Sequence, residues 1–148
     1  MKTDEVVFLD TNILVYAVEI DNPLHKKAER VINELNKSNL LSCISPQIIG
    51  ELYVTITNPR KIKKACSPNE AFDIVRVFWE TETFLKIYPK RTTLERTLNL
   101  VKQYQIKAMN FYDAQIVATM LDNNVNLIYT VNVKDFEMFE EIKAVNPL

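Results

Sequence analysis

"VVFLDTNILVYA", residues 6–17, decides the fold. Val6 to Leu9 form a short apolar run of the kind that makes a strand covered on both faces, and Ile13 to Val18 are nearly as apolar. Asp10, Thr11 and Asn12 stand between them. Desolvation disfavours a lone carboxylate at the edge of a core, so Asp10 calls for compensation from elsewhere in the chain.

Working outward, strands and helices alternate. "NPLHKKAERVINELNKS" places Leu24, Ala28, Val31, Ile32 and Leu35 at helical spacing, and Leu40 to Ile44 read as a second strand. Ser45 as N-cap and Pro46 at the first helical position open the next helix, whose buried stripe is Ile48, Leu52 and Ile56. Pro59 stops it. Ser67 and Glu70 form a capping box at the head of an unusually apolar helix carrying Phe72, Val75, Val77, Phe78 and Trp79. This helix completes the core or offers a patch for self-association. Thr83 to Tyr88 are β-prone, "TTLERTLNLVKQY" is amphipathic, and Asn110 is expected to cap a helix with Ala114, Val117, Ala118 and Leu121 facing inward. "VNLIYT" is a last clear strand, and Lys143 to Val145 add a candidate edge strand. This alternation predicts an α/β fold, a mostly parallel central sheet between two helical layers, with residues 1–148 forming one domain.

Composition excludes several functions. Gly50 is the single glycine in 148 residues, so neither a P-loop nor a GxGxxG turn can be written. A net charge of −1 gives no global basic field for nucleic acid, and any polyanion must be held by a local patch or through metal ions. One histidine and two distant cysteines, Cys43 and Cys66, make a structural zinc site improbable and fit a reducing compartment. The acidic start "MKTDEVVFLD" is no signal peptide and no segment reads as a membrane span, so a cytoplasmic protein is expected.

In a parallel sheet ligands bind beyond the carboxyl ends of the strands. Asp10 follows the first strand, Glu51 lies on the helix after the second, Asp113 sits in a first helical turn, and Asp135 lies in a loop after the last clear strand. Each residue alone has an ordinary explanation as a cap, a turn or a solvated helix residue. Together they would gather at one sheet edge, where carboxylates repel one another unless a cation stands among them. Oxygen ligands without His or Cys suit Mg²⁺ or Mn²⁺, and such an ion activates water and polarises a phosphoryl oxygen. The residues therefore predict metal-dependent phosphoryl chemistry.

"FLDTN", "IIGELY", "NFYDAQIVA" and "YTVNVKDF" also resemble, in order and approximate spacing, the four acidic motifs of PIN domains, and are most similar to VapC-type toxins. The resemblance runs over nearly the whole chain. It implies an α/β/α sandwich and a Mg²⁺- or Mn²⁺-dependent endoribonuclease. By that resemblance Asp10, Glu51 and Asp113 hold metal, Thr11 and Asn12 orient the first Asp, and Thr130 is the hydroxyl of the fourth motif. Asn132 occupies a position often acidic in the family, and Asp135 is the substitute. The resemblance further implies a homodimer and a small cognate antitoxin.

The most basic stretch, "NPRKIKKAC", offers Arg60, Lys61, Lys63 and Lys64 to RNA phosphates, or is an ordinary solvated loop. Tyr112 is expected to pack in the core rather than stack on a base, and His25 to lie on a surface helix without a catalytic role. A haloacid-dehalogenase-like phosphatase would want an Asp where Asn12 stands. A PIN-fold module that binds RNA or protein without cutting, and an RNA-processing nuclease that is not a toxin, remain as alternatives.

Overall fold

The computed structural model describes residues 5–148. The first four residues of the acidic start therefore lie outside the described part. The apolar run after them is β1 (Glu5–Leu9), followed by α1 (Thr11–Val18), α2 (His25–Leu35), β2 (Leu40–Ile44), α3 (Pro46–Ile56) and α4 (Pro68–Glu80). Then come β3 (Phe84–Lys86), α5 (Thr93–Tyr104), α6 (Asn110–Asp122), β4 (Leu127–Tyr129), α7 (Val133–Phe136) and β5 (Lys143–Val145).

The strands are all parallel in the order β3-β2-β1-β4-β5. β1 is central, which is why Val7, Phe8 and Leu9 are wholly buried and why no polar alternation shows in its sequence. From β1 the chain steps outward to β2 and β3 through α1 to α4, then crosses back to β4 and β5 through α5 to α7. Right-handed crossovers that travel in opposite directions put their helices on opposite faces. The packing agrees: α1 contacts α2 and α3, α3 contacts α4, and α6 contacts α5 and α7. The α/β/α sandwich expected from the alternation is the observed architecture, and Lys143 to Val145 do form its edge strand.

Several local expectations need correction. Asn110 is the first residue of α6 and not its cap; Met109 takes the cap position without a side-chain bond, because Ala108 at φ 51° has already turned the chain. Ser45 precedes α3 but makes no capping bond, and Pro46 at the head of the helix, lacking an N–H, removes one of the unpaired donors. The capping box of Ser67 and Glu70 forms as expected. α4 completes the core along one side only. Val75, Phe78 and Trp79 pack against the core, whereas Phe72 and Val77 are exposed. Cys43 and Cys66 are both free, and burial pushes the Cys43 thiol up to about 12, far from reactivity. Among the described residues no helix is long and apolar enough to cross a membrane.

Candidate active site

The strand order reverses its direction of travel at β1, between β1 and β4, and the crevice beyond the carboxyl ends of these strands is where such a sheet takes a ligand. Asp10 and Thr130 are the first residues past the two strands. The amide of Asp10 extends the ladder by donating to the Tyr129 carbonyl (3.0 Å), which fixes its side chain over the crevice.

Asp10 is 7% exposed and caps α1. Oδ1 accepts from the Thr11 amide (2.8 Å), and Oδ2 accepts from Thr130 Oγ1 (2.7 Å) and Asn12 Nδ2 (3.2 Å). Burial pushes its carboxyl above the ordinary range and the nearby Glu51 charge adds to this, while the bonds from Thr130, Thr11 and Asn12 oppose it. Thr130, wholly buried, is the hub of the network. It donates to Asp10 and accepts from Asn12 Nδ2 (3.2 Å) and from the Asn132 amide (3.0 Å). Asn12 Oδ1 accepts in turn from the Val131 amide (3.3 Å), so the turns after β1 and β4 are stitched together.

Thr11 does not share this task. Its hydroxyl donates to Glu51 Oε2 (2.7 Å) on α3, and only its backbone serves Asp10. Asp113 lies in the first turn of α6. Its carboxyl is pushed up to about 7, first by desolvation and then by the charges of Asp135, Asp10 and Glu51. That mutual repulsion brings the four acids into one electrostatic group. All four line a cleft of about 1170 Å³, together with Thr11, Asn12 and Asn132. Asp135 reaches it from α7, a four-residue helix where a loop was expected.

The basic stretch divides. Ile62 is buried and anchors the loop, Lys61 lines the cleft, and Lys64 pairs with Asp21 (3.2 Å). Arg60 and Lys63 are exposed and are not among the cleft-lining residues. Tyr112 is not in the core: it is 49% exposed and forms part of the cleft wall with Met109 and Val54, which are also exposed. His25 Nδ1 is hydrogen-bonded to the Tyr16 carbonyl (3.0 Å), a structural role at the head of α2. Gln47, which drew no attention in the sequence, donates to Glu51 Oε1 (2.9 Å). Its spacing of four residues from Glu51 on a helix is the signal that points to it.

Residues 7–142 match the family model described as PIN domain. The chain belongs to this family. Ribonuclease VapC24 of Mycobacterium tuberculosis is 23% identical to this PIN domain over 141 residues, 95% of either chain. Among solved structures, VapBC2 from Rickettsia felis bound to a promoter DNA fragment superposes with a TM-score of 0.69 at 19% identity, covering 95% of this chain and 98% of that one. VapC20 of Mycobacterium tuberculosis, described as a Sarcin-Ricin loop cleaving toxin, gives a TM-score of 0.69 at 14% identity over 90% of this chain and 95% of its own. At these identities the structural likeness is one of fold.

Does the PIN domain cleft suit a divalent cation? Its donors are carboxylate and amide oxygens, the set a hard ion takes. Among the described residues none of the four acids forms an ion pair with Lys, Arg or His, and Asp113, raised first by burial and then by the charges of Asp135, Asp10 and Glu51, stands where a cation would offset both. Equally, among the described residues no group of three or more His, Cys, Asp or Glu side chains stands ready-made to hold a metal ion. The donor chemistry fits, and ligation requires the side chains to draw together around the ion.

Proposed function

We propose that this PIN domain is a Mg²⁺- or Mn²⁺-dependent endoribonuclease, with residues 1–148 forming one nuclease domain that acts as the toxin of a toxin–antitoxin pair. The observation that supports it best is the Asp10–Thr130–Asn12 network at the sheet crevice, facing Glu51, Asp113 and Asp135 across one cleft. The name of the VapC24 relative and the description of VapC20 point the same way.

Asp10, Glu51, Asp113 and Asp135 would hold the cation, which supplies Lewis acidity to a phosphodiester and lowers the pKa of water. Thr130 and Asn12 fix the Asp10 carboxylate before any ligand arrives, so the drawing together that ligation requires falls to the other acids. Thr11 fixes one oxygen of Glu51. Lys61, in the cleft wall, is placed to meet a substrate phosphate, and Tyr112 to meet a base. Arg60, Lys63 and Lys64 lie beyond and would act only on a longer RNA. A homodimer, a cognate antitoxin and a cytoplasmic location belong to the same proposal.

The test is cleavage of a mixed tRNA and rRNA panel with Mg²⁺, Mn²⁺ or EDTA, with Asp10→Asn alongside. Metal-dependent cutting that Asp10→Asn abolishes is the expected result. Absence of cutting by folded protein free of any partner would favour the second reading, a PIN-fold module that binds without cutting. The absence of a ready-made metal-holding group among the described residues is the observation on that side.

A further inference from the structure

We infer that Gln47 is a positioning residue for Glu51, holding its carboxylate for the cation; this rests on the metal-dependent reading above. Glu51 is held at both oxygens, by Thr11 Oγ1 at Oε2 and by Gln47 Nε2 at Oε1. The two donors come from different elements, α1 and α3, so together they fix the side chain against rotation as well as translation. Gln47 Nε2 also contacts the carbonyl of Tyr112 (3.4 Å), the residue before Asp113 on α6. Because both its partners are acceptors, the amide nitrogen and not the oxygen must face them. One side chain thus ties the helix carrying Glu51 to the helix start carrying Asp113.

Without Gln47 the Glu51 carboxylate would keep only the Thr11 bond at Oε2, free to turn about it under the repulsion of the neighbouring acids. A cation would then have to pay for ordering Glu51 at the moment of binding. Outer partners of metal-holding carboxylates commonly change affinity by roughly 10–100-fold when removed. Gln47 is half-buried on the cleft wall.

The experiment is calorimetric titration of Mn²⁺ into the metal-free full chain. Four proteins are compared: wild type, Gln47→Met, Glu51→Gln and the double variant, each checked by thermal melting. Methionine keeps the length and helix preference of glutamine and loses both donors; Gln47→Leu serves as a second replacement should Gln47→Met not fold. The expected result is Mn²⁺ affinity about tenfold weaker in Gln47→Met and no further loss when Gln47→Met is added to Glu51→Gln. Unchanged affinity in Gln47→Met would overturn the role. An equal loss in the Glu51→Gln background would also overturn it, because the effect would not then pass through Glu51. Wild-type protein that binds no Mn²⁺ would instead overturn the metal reading, and the role of Gln47 with it.

Discussion

Asp113→Asn should make the metal-free protein more stable at pH 8, although it removes a residue assigned to the site. In the fold the Asp113 carboxyl is pushed up to about 7 from an ordinary 3.8, so the native state holds its proton more tightly than the unfolded chain. The contribution of Asp113 to stability is therefore largest below pH 4. It is lost progressively as pH rises from about 4 to about 7, and it stays lost above that. At about 1.36 kcal/mol per pH unit the full difference would be about 4 kcal/mol. Solvent screening of a half-buried side chain reduces this to about 1.5–2 kcal/mol. The charge also favours the N-terminus of α6, and losing that interaction costs about 0.5 kcal/mol. A net gain of about 1–1.5 kcal/mol remains, or about 3–5 °C in melting temperature for a chain of this length. Thermal melts in EDTA at pH 4 and pH 8 measure it. The gain should be present at pH 8 and absent at pH 4, and millimolar Mn²⁺ should stabilise the wild type more than the variant. A gain of the same size at both pH values, or none at pH 8, would refute the electrostatic account.

Other perturbations separate the remaining parts of the molecule. Thr130→Val deprives the buried Asp10 of its 2.7 Å donor while keeping the shape, and should cost about 1–3 kcal/mol in urea denaturation, with cleavage lost. Gly50→Ala should gain about 0.5–1 kcal/mol in the same assay, since nothing lies within 4 Å of the added Cβ in the middle of α3. Lys61→Ala should weaken binding of a single-stranded RNA and lower its salt slope by about 0.7, whereas Lys64→Ala, whose partner is Asp21, should change both less.

The sheet was readable because its central strand is buried on both faces, leaving an uninterrupted apolar run at Val6 to Leu9. The acids were readable because parallel topology sends residues after β1, after β4 and at the following helix starts to the same edge. What escaped depends on backbone geometry or on contacts between distant segments. The left-handed turn at Ala108, a residue that rarely adopts it, moved the start of α6 and left Asn110 inside the helix. Four residues are too few to show a helical period, so α7 around Asp135 was invisible. Tyr112 lies beside the part of α6 that is buried nearly all round, and only the folded structure places it, half exposed, on the cleft wall. The bond from the Thr11 hydroxyl to Glu51 joins residues forty positions apart, so adjacency to Asp10 pointed only to the carboxylate that the Thr11 amide serves.

Asp10 and Thr130 are separated by 120 positions and meet only when β4 docks in parallel beside β1. During synthesis the ribosome delivers Asp10 long before Thr130. A chain that stops before the end of β4 therefore lacks the hydroxyl that steadies the first acid and the α7 turn that brings Asp135. A cleft assembled this way is complete only once β4 and α7 have joined β1, and shorter products, however well their first helices fold, hold an Asp10 without its buried donor.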